Sequence, residues 1–142
     1  MKIDFDKLSK EKSNPNTLGI VVICATDYYN FGNIETMLDS IVRDFEVEGY
    51  EITILDGGYS KGEKYIKSYC DIRNFKNISV SPNFELFGKS AFIERNCNLM
   101  LKLTTFYKEK LVLVFDEYDS VRFNKIKEEA DELGLNVFRM DS

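Results

Sequence analysis

Two runs in this chain are apolar at every position: Ile20-Val21-Val22-Ile23-Cys24-Ala25 and Leu111-Val112-Leu113-Val114-Phe115. A strand with one face in water alternates apolar and polar residues. A run without alternation predicts a strand buried on both faces, at the centre of a sheet covered by helices on either side. Between and after these runs the apolar period changes from strand to helix and back. Ile34, Met37, Leu38, Ile41, Val42 and Phe45 recur at steps of three and four, which predicts an amphipathic helix ending near Gly49. Ile52-Thr53-Ile54-Leu55 predicts a second buried strand ending at Asp56-Gly57-Gly58, followed by a helix carrying Tyr65, Ile66, Tyr69 and Cys70. Ile78-Ser79-Val80 is a weaker third strand. A third helix, starting near Gly88, lines up Ile93, Cys97, Met100, Leu101 and Thr104. After the second apolar run, Phe123, Ile126, Ala130 and Leu133 mark a last helix before Gly134, and Val137-Phe138-Arg139-Met140 closes as an edge strand.

Strands alternating with helices at this spacing predict an α/β fold, a single Rossmann-like three-layer domain with a mostly parallel five-stranded sheet. A length of 142 residues leaves room for one core of ordinary depth. The domain is expected over residues 19–142, behind an N-terminal tail or arm, 1–18, in which Asn14-Pro15-Asn16 breaks any helix. A frayed terminus is the expectation for that arm; the alternative is that its apolar residues Ile3, Phe5 and Leu8 pack on the body or on a neighbouring subunit. No apolar run approaches the roughly 20 residues of a membrane span. The first residues, Met1 to Lys7, mix acids with bases and lack the apolar segment of a secretory signal, so the expected location is cytoplasmic.

Histidine is absent, which removes Ser-His-Asp and Cys-His catalysis and the commonest metal ligand. Cys24, Cys70 and Cys97 form no CxxC pair and read as buried reduced thiols. Lys and Arg number 19 against 24 Asp and Glu, a net charge of -5, so no global basic field recruits nucleic acid.

In open parallel sheets ligands bind beyond the carboxyl ends of the strands, which directs attention to four loops. Asp56-Gly57-Gly58-Tyr59-Ser60-Lys61-Gly62-Glu63 joins a strand to a helix start with three glycines, so backbone amides and Lys61 are available to an anion. It lacks the closing Gly-Lys-Ser/Thr of a Walker A loop, and a tight turn without a ligand is the alternative reading. Gly88-Lys89-Ser90-Ala91-Phe92-Ile93-Glu94-Arg95-Asn96 opens the third helix. Lys89 stands at its positive end, Ser90 near a capping position, and Arg95 is placed to look back toward the loop, or else to pair with a carboxylate of a neighbouring helix. The first loop crowds Tyr28, Tyr29 and Phe31, aromatics able to stack on a base or to cover the top of the sheet. Asp116-Glu117-x-Asp119 offers carboxylates for acid-base work or a divalent cation; the alternative is that Asp119 or Ser120 caps the last helix.

The Gly-Gly turn with its following glycine, together with Gly88-Lys89-Ser90-Ala91-x-x-x-Arg95-Asn96, resembles the YspA-like branch of the SLOG superfamily. Its members are small Rossmann-like domains related to the LOG phosphoribohydrolases and to the DNA-processing protein DprA. The similarity covers most of residues 19–140 and includes Asp27-Tyr28 after the first strand. It implies binding of a nucleotide or nucleotide-derived molecule in a cleft made by these loops, and association into a dimer or higher homo-oligomer. Two departures bear on activity. Cys24-Ala25-Thr26 stands where the family carries Gly-x-Arg, and Asp116-Glu117-Tyr118-Asp119-Ser120 replaces the Gly-Gly-x-Gly-Thr phosphate loop of LOG enzymes. Carboxylates in place of glycines repel a phosphate.

The expected function is therefore sensing, carrying or sequestering of a nucleotide-like small molecule. The expected ligand-binding residues are Thr26, Tyr28, Gly57, Gly58, Lys61, Gly62, Lys89, Ser90, Arg95 and Asn96, with no metal and no cofactor. The alternative is a nucleosidase or phosphoribohydrolase using Glu63, Asp116 or Glu117; a DprA-like single-stranded DNA binder is a more distant one.

Overall fold

The computed structural model describes residues 16–117 and 120–140, the side chain of Ser120 excepted. The expectations placed on residues 1–15 and on Asp119 lie outside this range, as does the capping role offered to the Ser120 side chain. Strands β1 (Thr17–Cys24), β2 (Glu51–Asp56), β3 (Lys76–Ser79), β4 (Glu109–Phe115) and β5 (Val137–Arg139) form one sheet in the order β3-β2-β1-β4-β5, with every neighbouring pair parallel. Four helices connect them: α1 (Phe31–Val47), α2 (Lys61–Arg73), α3 (Ala91–Phe106) and α4 (Ser120–Glu132). The domain is a Rossmann-like three-layer α/β unit, and none of its helices among the described residues is long and apolar enough to cross a membrane.

The two apolar runs occupy the two central strands, and the two faces of those strands feed two cores. Leu18, Ile20 and Val22 of β1 and Leu113 and Phe115 of β4 pack with Ile34, Leu38 and Val42 of α1 and Ile66 and Tyr69 of α2. On the other face Val21, Ile23, Val112 and Val114 meet Leu99, Met100 and Leu103 of α3 and Ile126 and Ala130 of α4. Side chains alternate across a strand, so a polar residue anywhere in these runs would have entered one core or the other.

The boundaries differ from the predicted ones in three places, each for a physical reason. β1 begins at Thr17, which takes Thr17 and the fully buried Leu18 out of the predicted tail and pairs them with Glu51 and Ile52. The third strand is Lys76–Ser79 at the sheet edge, where Ile78 is 38% exposed, so its apolar signal is faint. The third helix begins at Ala91. Before it, Phe84–Phe87 makes one helical turn and Gly88–Ser90 a 3-10 turn, with Gly88 at φ 53°, a left-handed conformation that interrupts helical progress. Of the cysteines, Cys24 and Cys70 are buried and Cys97 is half-buried.

Candidate binding cleft

The chain runs from β1 outward to β2 and β3, then returns to place β4 on the other side of β1. This reversal separates the loops that follow β1 and β4 and opens a crevice at their carboxyl ends. A cleft of about 390 Å³ lies there, on the face covered by α3 and α4, within the roughly 300–1,000 Å³ of small-molecule sites. Its apolar lining comes from Ile23, Ala25, Val114, Ile93 and Ile126, with Tyr59 and Phe92 as aromatic walls. Thr26, Glu63, Arg95, Asn96 and Asp116 supply polar groups, and Arg122, Lys125 and Glu129 reach in from α4.

The glycine loop is ordered by two carboxylates. Asp56, buried at the end of β2, accepts the Gly58 amide at 2.8 Å on one oxygen, and Asn77 Nδ2 at 2.8 Å and Ser79 Oγ at 2.9 Å on the other. Burial pushes its carboxyl above the ordinary value, against the pull of these hydrogen bonds. Ser60 then caps α2: its Oγ accepts the Glu63 amide at 3.2 Å, and Glu63 Oε1 accepts the Ser60 amide at 3.0 Å, a reciprocal capping box. The same Oε1 accepts the Tyr59 amide at 3.2 Å, and Oε2 accepts the Cys24 amide at 3.1 Å. Three amides of the glycine loop, those of Gly58, Tyr59 and Ser60, are thus occupied by internal carboxylates.

Arg95 completes that arrangement. It projects from α3 with its side chain 4% exposed and places Nη1 at 3.1 Å from Oε1 of Glu63, whose side chain is 0% exposed. Nη1 also approaches the Gly57 carbonyl at 3.4 Å. A Cβ at Gly57 would fall on Glu63 Oε2 and lie 2.6 Å from Arg95 Nη1, so this glycine is needed for close approach. Burial draws the guanidinium pKa down and the Glu63 charge opposes it; an arginine stays charged in either case. Of the two fates expected for Arg95, the structure assigns the carboxylate pair.

Asn96 is oriented by its neighbour. Its Oδ1 accepts from Arg95 Nε at 3.0 Å and from Nη2 at 2.8 Å. Because the guanidinium has only donors, the amide oxygen must face it, which settles the flip of the side chain. Nδ2 then points elsewhere and makes no hydrogen bond among the described residues, while Asn96 lines the cleft.

The structure brings part of the expected ligand-binding set together. Thr26, Arg95 and Asn96 line the cleft, as do Glu63 and Asp116 of the catalytic candidates, and Gly57 lies directly against the Glu63–Arg95 pair. The remaining residues fall outside the lining. Tyr28 is buried on the opposite face against Phe115, its hydroxyl accepting from Asn33 Nδ2 at 2.6 Å. Gly58, at φ 60°, turns beneath Ser81, and Gly62 packs on Cys24 and Ile34. Lys61 is exposed, with Nζ 5.6 Å from the centre of the Tyr29 ring. Lys89 and Ser90 are exposed on the 3-10 turn, and the Ser90 hydroxyl makes no cap bond to α3. Glu117 is half-buried beside the cleft rather than in its lining.

As a base, Glu63 has little to offer: both oxygens are committed, to three amides and a guanidinium. Asp116 is buried and pairs with Arg122, Nε to Oδ2 at 3.5 Å. The Cys24 thiol, also in the lining, is pushed well up by burial and by the Glu63 and Asp56 charges, which makes it a poor nucleophile. No cluster of three or more metal-ligating side chains is present among the described residues.

Sequence reasoning missed the aromatic wall and the α4 contribution. Arg122, Lys125, Ile126 and Glu129 recur at steps of three, one and three, a single helix face running down from the end of β4. That spacing was readable as a cleft wall, but only Ile126 was read from it, as core. Comparison with known proteins adds nothing to this geometry: no family model matches the chain, and no curated protein or solved structure does either.

Proposed function

We propose that this protein binds a nucleotide-derived small molecule in the cleft between the ends of β1 and β4, and acts as a binding domain rather than as a hydrolase. One observation carries the reading: a crevice at the reversal of strand order combines an apolar floor and an aromatic wall with a buried amide, Asn96, whose donor is uncommitted. Apolar walls with few fixed polar groups suit a flat heterocycle, which gains affinity by burial and orientation by the polar contact. The likeness to SLOG domains at Gly88 to Asn96 points to the same ligand class. Binding is favoured over turnover because Glu63 and Asp116, the two catalytic candidates that line the cleft, are both engaged in ion pairs. Hydrolysis of a glycosidic bond needs a carboxyl able to give or take a proton at the substrate.

The test is a panel of nucleobases, nucleosides and nucleoside monophosphates, read by thermal shift and titration calorimetry, with chromatography of the same mixtures for released base. Saturable binding with no release of base is expected. Release at a rate that disappears in Glu63→Gln or Asp116→Asn would replace this reading with the hydrolase one.

A further inference from the structure

The charge and hydrogen-bond arrangement of the cleft restricts which part of such a molecule it holds, an inference that rests on the binding reading above. Each cation on its wall already stands near a carboxylate. Arg95 meets Glu63 at 3.1 Å, Arg122 meets Asp116 at 3.5 Å, and Lys125 precedes Glu129 by one helical turn on α4. The Tyr59 and Ser60 amides, which would otherwise cradle a phosphate, are held by Glu63. A phosphate entering here meets three carboxylates, and it gains Arg95 or Arg122 only by pulling the guanidinium from Glu63 or Asp116, which leaves a buried carboxylate behind; that leaves Lys125, an exposed side chain of α4, as the cation within its reach.

What the cleft offers instead is apolar area and one directional donor. Tyr59 and Phe92 pack edge to face with centroids 5.1 Å apart, and Phe84 joins both rings at 5.5 and 5.4 Å, so the wall is a braced aromatic cluster. The floor of Ile23, Ala25 and Val114 has no polar side-chain atom. Asn96 is 8% exposed, its oxygen is locked by Arg95, and its Nδ2 is left as a fixed donor on the wall. A donor held in one orientation recognises an acceptor such as a ring nitrogen or an exocyclic carbonyl, and water competes poorly for it.

We propose that the cleft takes the uncharged heterocyclic part of its ligand, a nucleobase or nucleoside whose acceptor meets Asn96 Nδ2, and that it discriminates against the 5′-phosphorylated form. Titration calorimetry of the full chain with matched base, nucleoside and 5′-monophosphate sets tests this. At least one base or nucleoside is expected to bind, with its monophosphate at least tenfold weaker; the base and nucleoside arms show whether the sugar contributes. A monophosphate that binds as tightly as its nucleoside overturns the proposal and leaves the binding reading standing. Failure of every compound overturns both. Asn96→Asp keeps an oxygen toward Arg95 and exchanges the donor for an acceptor, so affinity for the base or nucleoside is expected to fall tenfold or more with a retained melting transition. Unchanged affinity in that variant overturns the assignment of Asn96. Should the variant not fold, the nucleoside-to-monophosphate ratio of the unaltered chain decides the matter.

Discussion

Arg95 and Arg73 both reach from a helix to carboxylates of another element, and their surroundings could hardly differ more. Arg95 on α3 and Glu63 on α2 meet under the cleft with side chains 4% and 0% exposed. Arg73, at the end of α2, grips Asp39 of α1 through Nε at 2.8 Å and Nη2 at 3.1 Å and reaches Glu35 at 2.9 Å, with its guanidinium over the Tyr69 ring at 3.9 Å. The outer cluster has more ion pairs and bidentate geometry, yet Asp39 and Glu35 remain 40% and 46% exposed. Water stands ready to replace any partner that is lost there. At the inner pair it does not, so each deleted group leaves others desolvated and unmet. The comparison separates ion pairs that the fold requires from those that adjust it.

The largest expected effect is at Glu63. Glu63→Ala leaves the Cys24, Tyr59 and Ser60 amides and the Arg95 guanidinium without their acceptor. Its cost should lie at or above the top of the range of about 3–5 kcal/mol for breaking a buried pair, measured by urea unfolding. Arg95→Ala follows at about 3–5 kcal/mol, a fall in melting temperature on the order of 10 °C. It should destabilise more than Arg73→Ala by a wide margin; near-equal losses would erase the contrast between the two sites. Gly57→Ala comes next. The added methyl displaces the Glu63–Arg95 pair, for a loss of about 1–3 kcal/mol typical of an overpacked site. A neutral outcome there would mean that the pair has room to move.

The same contrast explains what was legible in the sequence. β1 and β4 were readable because helices cover both faces, so their central runs had to be apolar throughout; β3 was blurred because an edge strand leaves Ile78 partly in water. Arg95 stood out as a cation among apolar residues, and in the fold its guanidinium lies against Gly57 of the glycine loop. Its partner was not seen, since ion pairing between residues 32 positions apart is set by how α2 and α3, on opposite faces of the sheet, both pack on β1, not by local pattern. Yet Ser60-Lys61-Gly62-Glu63 carries the Ser-x-x-Glu signature of a capping box, which directs the glutamate back to the backbone. Read that way, the loop declares its anion to be internal. Lys89 and Ser90 misled for a related reason: Gly88 at φ 53° delays the helix, so neither residue stands where a helix beginning at Gly88 would put it.

The smallest effect is expected at the outer cluster, and pH sharpens it. Hydrogen bonding to Arg73 holds the Asp39 carboxyl below its ordinary value of 3.8. The folded chain therefore binds that proton more weakly than the unfolded chain does, so the stabilisation is fully present above about pH 4 and is lost as pH falls through the lower, folded value. Asp39→Asn should cost about 0.2–1 kcal/mol at neutral pH and low salt, and less in 1 M salt, because an exposed pair is screened. Its unfolding free energy should also fall less steeply than that of the unaltered chain on going below pH 4. An Asp39→Asn loss that matched Arg95→Ala and ignored salt would show that exposure to water does not govern these pairs. Arg95→Ala, by contrast, should lose nearly the same stability in low and high salt, since a pair whose side chains are 4% and 0% exposed is little screened.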